Sequence, residues 1–284
     1  MKINWEDGGN APLKMNSRAA VLDGNVAYFM NLLSKKWSKL TKYPYCDSSL
    51  AVINGQLTAI GGCERINDTN TYTNKLLSLP GYKELFPAMP TKRREATTVT
   101  SKEHLVVAGG TIGCSGADTL NTVEVMEPKS LVWSTVASLP HPYRLTSGTI
   151  LGGDQLYMLG GLDDKDTTKS VLTCSLMELL HSSPLSSSII WHRVADAPAY
   201  HSACATVDGE LLAVGGCDKD YKPSSAIHKY NPNINCWDFI SNMPTARYKS
   251  LVAVLPANEM MVIGGNIKHF TATDQVEVAH FSLF

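Results

Sequence analysis

The hydrophobic positions of this chain are gathered in short runs, and five of those runs share one form. LTAIGG at 57–62, LVVAGG at 105–110, LYMLGG at 156–161, LLAVGG at 211–216 and MMVIGG at 260–265 are each an apolar run closed by a glycine pair. Successive runs start 48, 51, 55 and 49 residues apart. Gly8-Gly9 and Gly152-Gly153 lack a preceding apolar run and stand outside the series. Apolar runs this short, bounded by turn residues, read as strands. Upstream of most of them lies an alternating strand and then a tight turn: Asn54-Gly55, Asp208-Gly209 and, near the start, Asp23-Gly24. Such dipeptides accept the positive φ angles of two-residue hairpins. A third element is an aromatic strand position followed by a polar stretch that ends near proline. It reads Trp37 to Tyr43-Pro44, Phe86 to Met89-Pro90, Trp133 to Leu139-Pro140, Trp191 to Ala197-Pro198 and Trp237 to Met243-Pro244. The unit is strand, hairpin, apolar strand, Gly-Gly, loop, strand, turn, Trp strand, or four antiparallel strands in about 50 residues.

With these elements at this period the chain resembles the kelch-repeat family over essentially its whole length. The resemblance implies a β-propeller in which each repeat forms one blade. The physics agrees: a single twisted sheet cannot bury both of its faces, whereas blades packed around an axis can. A glycine pair lets neighbouring backbone approach where a Cβ would clash. A tryptophan supplies large buried area between adjacent blades.

The tryptophans imply one blade more than the glycine pairs. Trp5 precedes every repeat, in a segment ending Lys14-Met15-Asn16-Ser17-Arg18 that is similar to Ser241-Asn242-Met243-Pro244 through Arg247. After Gly264-Gly265 comes a third strand, Val276-Glu277-Val278, with no Trp strand behind it. The Trp5 strand is therefore expected to complete the last blade. The expected fold is an all-β, six-bladed kelch β-propeller of four-stranded antiparallel blades, its first blade incomplete and three-stranded. It is a single domain over 1–284, with a closing strand at 1–17 and blades at 18–45, 46–93, 94–143, 144–200, 201–246 and 247–284. Arg18 to Trp37 spans 20 residues against 37 from His201 to Trp237, and holds no glycine pair. The alternative is a five-bladed ring with a disordered N-terminal strand.

Composition narrows the class. Apolar residues make up 44% of the 284 and charged residues 18%, ample for a buried core and unlike a disordered chain. Lys+Arg 25 against Asp+Glu 26 gives a net charge of −1, which argues against a nucleic-acid binder with a broad basic face. No apolar run approaches the roughly 18 residues of a membrane span, and the N-terminus lacks the apolar stretch of a signal peptide. The seven cysteines (46, 63, 114, 174, 204, 217 and 236) form no CxxC pair, so neither a structural zinc site nor a disulfide framework is indicated. The expectation is a cytoplasmic chain, monomeric as an isolated domain and part of a larger multidomain protein.

No sequence signature of catalysis is present: GxGxxG, GxSxG, Walker A, HExxH and EF-hand patterns are all missing. The eight histidines are scattered. Asp163-Asp164-Lys165-Asp166 and Asp218-Lys219-Asp220 follow glycine pairs. Carboxylates suit calcium, but the lysines among them and the missing EF-hand spacing favour solvated loop tips. Cys63, Cys114 and Cys217 lie just beyond glycine pairs, where redox sensing or plain packing are the alternatives. The Ser-rich stretch His181–Ser188 reads as an extended loop, preceded by a short helical turn at Leu176–Leu180. No cofactor and no metal are expected.

One ring of residues carries the functional expectation. The first strands of the blades begin near Arg18, Asp47, Arg94, Arg144, His201 and Arg247-Tyr248. In the kelch-like adaptor proteins that this chain resembles, that position faces the channel entrance and binds partner peptides, often through arginine to an acidic motif. The resemblance carries over best to Arg18, Arg94 and Arg247, with Arg144 offset by one and Asp47 and His201 in place of a base. An arginine fork pairs bidentately with carboxylate; bonding to loop carbonyls is the structural alternative. The expected function is a non-enzymatic interaction module for a peptide or protein partner, an acidic segment being one candidate. The narrower version is the substrate-recognition domain of a ubiquitin-ligase adaptor. A kelch-type enzyme (metal-assisted oxidase, lyase or sugar epimerase) and an actin-binding domain are the alternatives.

Overall fold

The computed structural model describes residues 2–282 except 16–20, 23–25, 32–35, 43, 67–68, 80, 102–103, 114, 164–165, 185–189, 256–257 and 270. Arg18, the Asp23-Gly24 turn, Cys114, Asp164-Lys165 and the second half of the Ser-rich loop therefore lie outside the described residues.

Five strands wall a central channel: Ser49–Ile53, Thr97–Thr100, Ser147–Leu151, Ala203–Val207 and Leu251–Leu255. Each turns back into the apolar strand that the Gly-Gly series marks: Gln56–Ile60, Leu105–Ala108, Gln155–Leu159, Glu210–Val214 and Glu259–Ile263. The turns are those the dipeptides predict, with φ of 50° and 75° at Asn54-Gly55 and 51° and 74° at Asp208-Gly209. Gly152-Gly153 makes the same kind of turn in the third blade. Third strands follow at Leu76–Ser78, Val123–Glu127, Val171–Ser175, Ala226–Asn231 and Thr271–Ser282. The second, third and fourth blades gain an outer strand, Val132–Val136, His192–Val194 and Cys236–Asn242. The fifth is completed by Lys2–Met15, in which Trp5 stands opposite Ala279. The first blade has three strands, with a separate hairpin, Cys63–Ile66 and Thr69–Tyr72, beyond its glycine pair.

The expected six-bladed ring is thus corrected to five blades. The bridges that close the blades show it, since among the described residues five equivalent ones occur: Cys46 with Cys63, Arg94 with Thr111, Arg144 with Leu162, Tyr200 with Cys217 and Tyr248 with Asn266. The segment expected as a first blade forms a separate small sheet, Val21–Leu22, Val26–Asn31 and Lys36–Lys42, and adds no strand to the channel wall among the described residues. The reason lies in the sequence. That segment has no Gly-Gly, and the glycine pair is what locks one blade to the next.

The lock is a backbone contact. The second glycine of three pairs donates its N–H to a carbonyl of the following blade: Gly62 to Arg93 (2.8 Å), Gly110 to Tyr143 (2.8 Å) and Gly216 to Arg247 (2.9 Å). A Cβ on the first glycine of one pair, Gly215, would lie 2.5 Å from the Arg247 carbonyl.

Between blades the apolar faces interdigitate. Ile53, Ile60 and Leu76 meet Leu105, Val107 and Met126; Val106 and Val125 meet Leu156 and Met158; Tyr157 and Leu159 meet Leu211 and Ala213; Leu212 and Val214 meet Met260 and Val262. The tryptophans seal these seams as expected. Trp133, Trp191 and Trp237 each send the indole N–H to a carbonyl at the end of the preceding blade: Pro87 (3.0 Å), Ala137 (3.4 Å) and Ala195 (3.1 Å). The helical turn at Leu176–Leu180 is present, capped by the Ser175 hydroxyl, which accepts from the Glu178 N–H.

Candidate functional site

The start of the five inner strands opens into a cavity of about 280 Å3. Its floor is small and hydroxyl-bearing: Ser49 donates to the Ala96 carbonyl, Thr97 bonds Thr146, and the Ser147 hydroxyl accepts from the Cys204 N–H. Above it, Asp47, Glu95, Leu145, His201 and Lys249 occupy one equivalent position in the five blades, all left-handed, with φ between 53° and 56°. None is glycine, and that conformation is sparsely populated by residues with a Cβ. A belt of backbone bonds holds it: Glu95 N–H to Asp47 (3.0 Å), Leu145 N–H to Glu95 (3.0 Å) and Lys249 N–H to His201 (3.1 Å).

The belt fixes the register that the sequence left one residue loose. The position just before it holds Cys46, Arg94, Arg144, Tyr200 and Tyr248. Arg94 and Arg144 are therefore equivalents with no offset between them. Arg247 lies one place earlier, level with Arg93 and Tyr143. Both Arg93 and Arg247 are fully buried. Arg93 donates to the Gly109 and Thr122 carbonyls (2.7 and 3.1 Å) and pairs with Glu124 at 3.0 Å. Arg247 donates to the Gly264 and Gln275 carbonyls (3.1 and 3.0 Å) and pairs with Glu277 at 2.9 Å. Burial pulls both guanidinium pKa values down, against the pull of the partner carboxylate. Arg247 is thus a strut between strands, hidden from solvent.

At the mouth itself the two halves differ. One half is charged. Arg94 Nη1 lies 2.8 Å from Asp47 Oδ2 of the preceding blade, and Arg144 Nη1 lies 2.9 Å from Glu95 Oε2 of its own preceding blade. Burial opposes the Arg94 charge, but Glu95, Asp47 and Cys63 outweigh it and its pKa is raised. The Arg94 guanidinium also lies 5.8 Å from the Tyr72 ring centroid. The other half is aromatic. His201 stacks on Tyr221 at 6.3 Å and 22°, Tyr221 meets Tyr248 at 6.0 Å, and His269 meets Tyr221 edge-on at 5.0 Å. Tyr248 and His201 are buried beneath, while Tyr221 is half-buried and His269 exposed.

The structure therefore brings Asp47, Arg94 and Arg144 to the mouth, buries His201 and Tyr248 beneath it and leaves Arg247 in the core. The sequence pattern pointed to neither Glu95 nor Tyr221 nor His269. Glu95 was legible as the neighbour of Arg94. Tyr221 sits in the loop read only as an acidic tip, where Asp218 Oδ1 accepts from the Asp220 and Lys222 N–H groups and folds the loop back. Among the described residues one cluster of three His, Cys, Asp or Glu donors lies within 4.8 Å: Cys46, Asp47 and Cys63. Arg94, bonded to Asp47 and 3.9 Å from Cys63 Sγ, already places a fixed cation there.

A ring of blades around a walled channel, locked through glycine pairs and sealed by tryptophans, defines a β-propeller. Residues 92–140 and 198–244 match the kelch motif. Kelch-like protein 36 of Rattus norvegicus is 27% identical over 267 residues, covering 89% of this chain and 41% of that protein. Kelch repeat and BTB domain-containing protein 13 of Homo sapiens is 28% identical over 130 residues, covering 45% of this chain and 26% of that protein. The chain thus spans about a quarter to two-fifths of the length of these relatives. The solved structure of YjhT aligns with a TM-score of 0.71 at 15% identity, covering 94% of this chain and 95% of that one, and so shares the fold. Two segments of the chain thus carry the kelch motif, and the chain is similar to kelch-like proteins over most of its length. No helix among the described residues is long and apolar enough to cross a membrane.

Proposed function

We propose that this propeller is a non-enzymatic interaction module that grips a peptide segment of a partner protein at the channel mouth. The observation that carries this reading is the division of one mouth into a charged arc, Asp47-Arg94-Glu95-Arg144, and an aromatic arc, Tyr221 and His269 over the buried His201. Because each arginine is already paired, an incoming carboxylate must compete with Asp47 or Glu95. Charge alone then contributes little, and the aromatic arc supplies apolar contact. The segment that fits carries an acidic side chain close to an aromatic or proline ring. In a longer polypeptide, such as the related proteins, the same mouth would select the substrate that a ubiquitin ligase modifies.

The meeting of His201, Tyr221, Tyr248 and His269 raises the question of a metal-assisted oxidase. The rings meet as aromatic pairs, His201 stacked on Tyr221 at 22° and 6.3 Å, Tyr248 tilted against both and His269 edge-on to Tyr221, which is how aromatic side chains pack. That arrangement argues against four donor atoms around one ion. The test is selection from a random peptide display library, with the folded wild type as bait and Arg144→Glu as counter-bait. The expected result is a consensus joining a carboxylate to a ring and lost on the counter-bait. A consensus indifferent to Arg144, or none, overturns the reading.

A further inference from the structure

Cys46 and Cys63 face each other across the bridge that closes the first blade. Each donates its N–H to the other's carbonyl, at 2.8 and 2.9 Å, so they form a hydrogen-bonded antiparallel pair. Such a pair holds its Cα atoms about 5.5 Å apart, within the span that a disulfide bridges without backbone movement. Their sulfurs lie 3.1 Å apart. Rotation of the two side chains is enough to bring them to the bonded distance of about 2.05 Å. No other blade has two thiols at this bridge. The equivalents are Arg94 with Thr111, Arg144 with Leu162, Tyr200 with Cys217 and Tyr248 with Asn266.

The surroundings divide the two thiols by role. The contact between the two sulfurs lowers the Cys63 pKa. Burial opposes that shift, and the Arg94 guanidinium, 3.9 Å away, adds to it. Cys46 moves the other way, raised by the same contact, by burial and by the neighbouring Asp47. The Arg94 guanidinium beside the Cys63 sulfur favours its thiolate, which makes Cys63 the attacking sulfur and leaves Cys46 to resolve. Cys174 and Cys217 have only raised pKa values, burial being the largest cause, with Cys217 pushed up to about 11. Cys63 is buried and Cys46 half-exposed, so a small oxidant suits the site.

We propose that Cys46 and Cys63 are a redox-active dithiol that closes to a disulfide beside the channel mouth under a peroxide. The Cys63 thiolate attacks hydrogen peroxide, breaking the O–O bond and releasing hydroxide, which takes up a proton to become water. Cys46 sulfur then attacks the Cys63 sulfenic sulfur. Its proton leaves with the departing hydroxyl as a second water. Two thiols lose two electrons and two protons, and one peroxide becomes two waters. This chemistry does not depend on whether the mouth binds a peptide.

The experiment is stoichiometric peroxide on the reduced chain, followed by intact mass and non-reducing peptide mapping. The expected result is a loss of about 2 Da, with the peptides holding Cys46 and Cys63 joined at least tenfold faster than Cys174, Cys204 or Cys217 is modified. The closed form should melt about 5 °C or more above the reduced one. In Cys46→Ser, Cys63 should instead stop as a sulfenic acid that dimedone traps. Should that variant not fold, the wild-type map decides alone. Cys46 and Cys63 both left free while other cysteines react, or Cys63 overoxidised without a bond to Cys46, would overturn the proposal.

Discussion

Arg247 and Glu277 meet at 2.9 Å inside the fifth blade, where the guanidinium is wholly hidden from solvent, and Arg93 and Glu124 repeat the pair in the second blade. The repetition separates the arginines that build this propeller from those that line its mouth. In the third and fourth blades the same places hold Tyr143 with Leu172 and Ala199 with His228, so arginine enters only where a glutamate waits for it. Arg247→Met should cost about 3–5 kcal/mol, because it strands a buried carboxylate and frees two carbonyls of their donor. The double variant Arg247→Met/Glu277→Leu should recover part of that loss. Urea denaturation of the two variants beside the wild type checks the order; a single variant no weaker than the double contradicts it.

The glycine lock makes a sharper contrast than general glycine sensitivity. Gly55 and Gly215 both have positive φ, 75° and 62°, so alanine is strained at either. A Cβ at Gly55 meets nothing within 4 Å, whereas one at Gly215 lies 2.5 Å from the Arg247 carbonyl and 2.8 Å from Met243 Cε. Gly55→Ala should cost about 1 kcal/mol. Gly215→Ala should cost at least about 2 kcal/mol more, since it pushes two blades apart. Equal denaturation midpoints for the two variants would count against the lock.

His228, half-buried against Phe239 at 5.8 Å, has its pKa lowered by burial. The folded state therefore holds a proton there less readily than the unfolded chain does. Its contribution is fully present above the ordinary histidine range and is lost as the pH falls through that range toward the lower folded value. The melting temperature of the wild type should drop more steeply between about pH 7 and pH 5 than that of His228→Gln. Parallel profiles would show that burial at this site does not govern protonation.

Most of the architecture was legible in the sequence because its determinants are local. The Gly-Gly runs, the Asn-Gly and Asp-Gly turns and the Trp positions each mark a backbone conformation or a seam. What misled was Trp5 and Trp37, whose spacing implied a sixth blade. A Trp position records that a strand exists, whereas a glycine pair closing an apolar run records that a blade is locked to its neighbour, and only five pairs close such a run. The site was less legible for a related reason. Arg-Tyr at 247–248 and Arg-Arg at 93–94 look alike as text, yet only the belt of left-handed residues shows that Tyr248, not Arg247, aligns with Arg94. Cys46 and Cys63 are 17 residues apart in sequence, and only the bridge behind the glycine pair brings them together.

The two-arc mouth is tested most directly by fluorescence anisotropy of a labelled peptide drawn from the display selection, titrated with wild type, Arg144→Glu, Tyr221→Ala and Asp208→Asn. Asp208 sits in a hairpin at the far end of its inner strand and serves as the control. Both mouth variants, folded by melting, should weaken binding at least tenfold, or about 1.4 kcal/mol, while Asp208→Asn leaves it unchanged. Affinity untouched by Arg144→Glu and Tyr221→Ala would place the binding surface elsewhere on the propeller and contradict the account.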